Sequence, residues 1–260
     1  MIDVSYDFTF DCPHYWDHFW EKNGGMGSGN CDPDSASETL QRYHQILWSK
    51  RLPVGMIMDL KIGSGPNYLT WNDFRFGSDS MIVSFRYRKN RALLEQVSNS
   101  MSDYKAFVED YVHRSYTIGG MIIFPKHSGS INQRRGTNQL ICDRWDLTLE
   151  CIRRFYKGEG SPLYSTLLKD QAFFDLFVDF KGYVDYFYLQ DCVSSDYSKV
   201  NIWLGRGDFT ENPLPHSVEQ YRSWIGSEMD SLDKRNGRIN EYLRSKRLDN
   251  LFTYTNPKVG

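Results

Sequence analysis

With 260 residues, 40% hydrophobic and 15% aromatic, the chain can build one large or two small domains around a packed core, and a 25% charged fraction excludes wholesale disorder. A formal net charge of −2 excludes nucleic-acid binding through a general basic surplus, so any such role would rest on a local patch. No apolar run approaches the roughly 18 residues of a membrane span, and the first twenty residues carry acids where a secretory signal carries bases.

In chain order, YDFTF (6–10) alternates weakly, as a first strand would. Residues 22–34, rich in glycine, are expected to form a flexible loop. Ser35 and Glu38 then make a capping box, and Leu40, Tyr43, His44 and Leu47 share one helical face until Pro53. VGMIMDLKI (54–62) and SMIVSFRYR (80–88) read as strands, and FRFGSDS (74–80) reads as the turn before the second. MSDYKAFVEDYVHRSY (101–116) has helical spacing, and GGMIIFP (119–125) is a short buried strand stopped by proline. KHSGSINQRRGTNQ is expected as a loop leading into a helix over 141–157. The aromatic block 171–191 reads as helical on either side of Gly182, and VNIWLG (200–205) as a strand. Ser217 and Gln220 make a second capping box for a helix that runs into KRNGRIN, read as a helical bend, and residues 253–260 read as a frayed tail. Helices between some strands, without strict alternation, indicate an α+β fold: a single compact domain over 1–260, with a mixed or antiparallel sheet packed by several helices.

The densest charge lies in SINQRRGTNQLICDRWDLTLECIRRFY (130–156). At about 100° per residue, Ile141, Trp145, Leu149, Ile152 and Tyr156 share one arc, and Asp143, Asp146, Glu150, Arg153, Arg154 and Lys157 the opposite one. A solvated face accounts for Glu150, Arg154 and Lys157, with Glu150 placed to pair with Arg153 and Arg154. Arg144 projects instead at the edge of the apolar side. It either ties the helix to an acid such as Asp59 or Asp191, or holds a phosphate or carboxylate. In the preceding loop Asn132 and Asn138 can fork hydrogen bonds, while Arg134 and Arg135 supply fixed cations where a scaffold commonly displays binding groups. Asp143 would repel an anion there unless it binds a metal or acts as a base.

Other features are weaker. Cys12, His14 and His18 resemble metal ligands without a second ligand pair. GGMGSG (24–29) lacks the lysine and strand–helix context of a phosphate loop. The five scattered cysteines, with no C-x-x-C, fit reduced thiols in a cytoplasm. Arg75, Ser78, Asp79 and Ser80 in FRFGSDS read as an ordinary turn or as polar groups of the same pocket. Arg235, Asn236 and Arg238, with Lys246 and Arg247, form the one local basic surface.

The blocks HQILWSKRLPVG, FGSDS, SINQRRGTN, DRWDLTLECIRRFY with SPL, FFDLFVDFKGYVDYF, PLP and RNGRI resemble an uncharacterised bacterial family, a domain of unknown function, over roughly residues 6–243. The resemblance implies a single bacterial domain and no established activity. It groups SINQRRGTN, DRWD and RNGRI as one candidate pocket.

Two expectations follow. The first is a protein that binds or acts on a phosphate-bearing ligand, a nucleotide or nucleic-acid end. Arg135, Arg144 and Arg238 would bind charge, Asn132 and Asn138 would orient the ligand, and Asp143 or Asp146 would serve as general base or Mg2+ ligand. The second is a non-catalytic interaction protein, part of a bacterial defence or toxin–antitoxin pair. Its arginines would be internal struts, and the aromatic block 173–188 would face a protein partner or a second copy.

Overall fold

A computed structural model of the chain describes residues 2–21, 31–63, 69–81, 88–203, 209 and 215–255. Its helices are α1 (Tyr15–Glu21), α2 (Pro33–Ala36), α3 (Glu38–Trp48), α4 (Arg88–Asn99), α5 (Tyr104–Ser115), α6 (Ile131–Thr137), α7 (Trp145–Tyr156), α8 (Tyr164–Lys169), α9 (Gln171–Phe174), α10 (Phe180–Tyr186) and α11 (Val218–Thr255). Strands β1 (Lys61–Ile62), β2 (Leu69–Trp71), β3 (Phe74–Ser80) and β4 (Met121–Pro125) pair antiparallel in chain order. Helices wrap this sheet into one compact α+β domain, as the sequence pattern implied.

Among the described residues β4 is an edge strand, yet all five of its residues are buried. Its run of apolar side chains suits burial on both faces: α6 packs on it, and Phe124 meets Trp145 of α7 at 6.4 Å. Part of its exposed backbone edge is also answered, because Arg235 of α11 donates to the Met121 carbonyl at 2.8 Å. The long α11 lays Tyr221, Ile225, Leu232 and Ile239 into the core at helical spacing, and the same stripe carries buried Glu228 and Arg235.

Several elements differ from the sequence reading, each for a local reason. YDFTF forms a 3-10 turn at Phe8–Asp11, capped by Asp7, whose side chain accepts from the Thr9 N–H. The first long helix is capped by Ser37, whose hydroxyl accepts from the Leu40 N–H at 2.9 Å, while Ser35 lies inside α2. Of 54–62 only Lys61–Ile62 is strand, with one further bridge between Arg51 and Ile57. FRFGSDS is strand β3 itself, and residues 82–87 of the expected strand lie outside the described residues. The expected loop before residue 141 contains α6. The helix expected from 141 starts only at Trp145, because Cys142 and Asp143 take positive φ of 53° and 59°. The aromatic block breaks at Val178, φ 71°, and continues through Gly182. A β-carbon on Gly182 would stand 2.1 Å from the Phe177 carbonyl oxygen, so this glycine lets α10 pack closely on the turn before it. At 200–205 the described residues show a single bridge, Val193 to Val200. KRNGRIN lies within continuous α11, and residues 253–255 of the expected tail remain helical.

Within the expected flexible loop 22–34, residues 22–30 lie outside the described residues, and Pro33 opens α2 behind its Asp32 cap. Cys12 and Cys31 are joined by a disulfide, which overturns the expectation of five reduced thiols; Cys142, Cys151 and Cys192 are free and buried. Among the described residues no helix is long and apolar enough to cross a membrane.

Candidate functional site

β3 carries the polar centre of the molecule. Its alternation sends Ser78 to one face, toward α2 and α3, and Asp79 to the other, toward α6. On the first face the Trp48 indole donates to His44 Nδ1 at 2.9 Å, His44 Nε2 pairs with Ser78 Oγ at 3.0 Å, and Ser78 Oγ donates to Asp34 Oδ1 at 3.0 Å. An indole N–H only donates, so the imidazole proton sits on Nε2 and points at the serine. Burial, with the charge of Arg235, pushes His44 down to about 3, which keeps it neutral. His44 therefore cannot take the Ser78 proton, and the trio lacks the polarity of a nucleophilic triad. Asp34 receives that proton's hydrogen bond instead. Burial and the neighbouring carboxylates of Asp32 and Asp79 raise Asp34 well above the usual aspartate range. Asp34, Ser37, Gln41, His44 and Ser78, with Phe76, line a narrow cleft with room for about one water molecule.

On the second face Arg135 is fully buried. Its Nη1 donates to the Ser80 carbonyl at 2.6 Å and lies 3.0 Å from Asp79 Oδ1, its Nη2 donates to the Asp143 carbonyl at 3.0 Å, and its Nε reaches Thr148 at 3.3 Å. Asp143 returns the contact, donating its backbone N–H to the Arg135 carbonyl at 3.0 Å and placing Oδ1 3.4 Å from Nη1. Asp79 Oδ2 is buried with no hydrogen-bond partner. Burial, opposed by Arg135 and reinforced by Asp143, lifts the Asp79 carboxyl to about 7. Asn132 braces the same strand, donating to the Ser78 carbonyl at 2.9 Å.

Of the residues expected to form a pocket, Asn132, Arg135 and Asp143 thus converge on β3. Arg144 and Asp146 form a separate, fully buried pair in which Nε donates to Oδ1 at 3.0 Å. Asp146 also accepts from the Trp203 N–H at 3.2 Å, and the Arg144 guanidinium lies 5.5 Å from the Trp224 ring, so this pair ties α7 to segment 203 and to α11. Neither Asp59 nor Asp191 is the partner of Arg144. Asp59 pairs with Lys61, and Asp191 pairs with Arg238 at a partly exposed contact between α11 and the turn at 190–192. Asn138 serves its own turn and the Pro162 carbonyl, at 3.2 Å. The three polar blocks do not meet in one pocket.

The solvated arc of α7 is also revised: Asp146 and Glu150 are buried, although Glu150 does pair with Arg153 and Arg154, at 2.8 Å each. The aromatic block offers little partner surface, since Phe173, Phe174, Phe177, Phe180, Tyr183 and Phe187 are core. Cys12 is held in the disulfide and exposed His14 pairs with Asp17, so that motif is not assembled for a metal. No cluster of three His, Cys, Asp or Glu among the described residues is arranged for one either.

A second, wider cleft of about 280 Å³ lies between α7, α10 and the 196–198 turn, lined by Tyr156, Lys157, Asp179, Phe180, Lys181, Asp196, Tyr197 and Ser198. Its acids are engaged: Asp179 caps α10 through the Gly182 N–H, and Asp196 accepts from Ser194 and Ser198.

The chain belongs to a family of unknown function, DUF6994, whose profile matches residues 2–239, which bears out the resemblance to a domain of unknown function. No curated protein and no solved structure matches it.

Proposed function

We propose that the protein binds a small ligand bearing a hydroxyl or amine group, with one such group entering the cleft between α2, α3 and β3 and meeting Asp34 and Ser78. One observation carries this reading. Asp34 and Asp79, on either side of one strand segment, both have carboxyls raised above the usual aspartate range by burial, and Asp34 lines a cleft that admits a single water-sized group. A carboxyl whose ionisation burial opposes can meet such a group as hydrogen-bond acceptor when charged or as donor when protonated. Arg135 is the internal counter-ion of this cluster. Its donors are spent on Asp79, Asp143, Thr148 and two carbonyls, so a phosphate would meet an excess of carboxylates there.

A phosphate-bearing ligand, a nucleotide included, remains the second reading at a different place, the 280 Å³ cleft, where Lys157 and Lys181 stand beside Tyr156, Phe180 and Tyr197. A thermal-shift screen of polyols, amines and nucleotides against the wild type, Asp34→Asn and Lys157→Ala/Lys181→Ala separates the two. A polyol or amine shift lost in Asp34→Asn supports the first reading. A nucleotide shift lost only in the lysine variant replaces it with the second, and a shift indifferent to both variants overturns both.

A further inference from the structure

Arg135, Arg144 and Arg235 are each no more than 1% exposed. Two of them have carboxylates: Asp79 and Asp143 for Arg135, Asp146 for Arg144. Arg235 has none among the described residues. Its Nε donates to the Phe187 carbonyl at 2.9 Å, and its Nη1 to the Gly119 and Met121 carbonyls at 2.7 and 2.8 Å. Its Nη2 is buried with no partner. Burial draws Arg235 down only to about 10, so the guanidinium is charged at neutral pH. A buried, uncompensated cation is among the costliest groups a fold can hold, and carbonyl dipoles neutralise it only in part.

A second basic side chain, held largely uncharged at neutral pH, shares the aromatic surroundings of Arg235. Lys50 lies on the same Trp48 ring as Arg235, at 5.1 Å against 5.8 Å, with Tyr186, Tyr188 and Tyr242 around it and the Tyr186 carbonyl at 2.7 Å as its acceptor. Burial, with the charges of Arg235 and Lys246, pulls Lys50 down to about 6. The acids on neighbouring elements that act on Cys192, beside Arg235, are Asp191 and Asp146, and each is already bound, to Arg238 and Arg144. The Tyr183 hydroxyl, one helical turn before the Phe187 carbonyl that the arginine holds, is another buried donor without a partner, and it feels the charges of both Arg235 and Arg135.

We propose that the protein binds a small monovalent inorganic anion of halide size against Arg235 Nη2. A water molecule would satisfy Nη2 and leave the charge uncompensated. An anion answers both, and it makes the anion part of the folded state, as a structural counter-ion on the long helix. The site is independent of the cleft beside Asp34.

The test uses the full chain in two measurements. Thermal melts at constant ionic strength, with bromide exchanged for gluconate, are expected to show a saturable rise of a few degrees with bromide in the wild type and none in Arg235→Met. Crystals grown in bromide are expected to show an anomalous peak within hydrogen-bonding reach of Nη2. The crystals decide the matter if Arg235→Met does not fold. Equal melts in both salts, a bromide effect that survives Arg235→Met, or no anomalous peak at Nη2 would each overturn the proposal, the last assigning the space to water.

Discussion

Replacing Asp79 by asparagine tests the electrostatics of the β3 cluster directly. In the folded chain this carboxyl stands at about 7 against an ordinary 3.8, because burial outweighs the attraction of Arg135 and Asp143 adds repulsion. That gap, at about 1.4 kcal/mol per pH unit, is on the order of 4 kcal/mol. The sign follows from proton counting. Between the two values the native state holds a proton that the unfolded state has released, so the contribution is complete below about 4 and is lost as pH rises through about 7. Asparagine cannot titrate. It also leaves an amide in the place of the partnerless Oδ2, which costs a pH-independent increment of about 1–3 kcal/mol. Urea denaturation of both proteins across pH 4.5 to 8 should therefore give stability curves that are not parallel. The wild type should lose ground to Asp79→Asn by up to about 1.4 kcal/mol per pH unit below neutrality, then run parallel to it. Asp34 is raised in part by the Asp79 carboxylate, so Asp79→Asn also relieves Asp34, and that change widens the divergence of the two curves in the same direction. Parallel curves throughout would show that Asp79 stays ionised as a simple partner of Arg135, and the cluster would lose its neutral-pH carboxyl.

Asp146→Ala leaves Arg144 buried without its carboxylate and should cost about 3–5 kcal/mol in urea denaturation, whereas Arg144→Met/Asp146→Leu, which removes both charges, should recover most of that loss. Val178 is β-branched and exposed at φ 71°, so Val178→Gly should leave stability unchanged or raise it by up to about 1 kcal/mol, read as a higher Tm. Ser37→Ala removes the cap of α3 and the hydroxyl that donates to Asp11, and should lower stability by about 1 kcal/mol in thermal melts.

How legible each element was follows from what holds it. β4 and α5 were visible because their own side chains encode their burial: MIIFP is apolar throughout, and Val108, Tyr111 and Val112 recur on one face. β3 was hidden because a strand reading rests on apolar or β-branched runs, and FRFGSDS satisfies its polar half by tertiary contacts with His44, Asn132 and Arg135. The break before α7 was hidden too, because nothing in ICDRW forbids a helix. Cys142 and Asp143 adopt positive φ in a turn where Asp143 and Arg135 exchange backbone and guanidinium bonds across the loop. The α2 signal was present and passed over: Asp32–Pro33 is a cap followed by a proline at the first helical position, inside a stretch whose glycines read as a loop.

The same distinction governs the site. Arginine density at 134–154 marked where charge is concentrated, and the fold spends that charge inward: Arg135 and Arg144 satisfy carboxylates contributed by β3, the 143 turn and α7 itself. A guanidinium read from sequence has no sign of purpose, because its five donors serve a strut and an anion site equally well. What separates the two is the partner count, which only packing supplies. By that measure the segment singled out for its charge is the better neutralised part of the molecule. Arg235, which drew notice only as one member of a surface basic patch, is the buried guanidinium lacking a carboxylate among the described residues. Its asymmetry is a stronger pointer to a bound anion than any local density of basic residues, because solvated charge costs the fold little and buried, unpaired charge costs it a great deal.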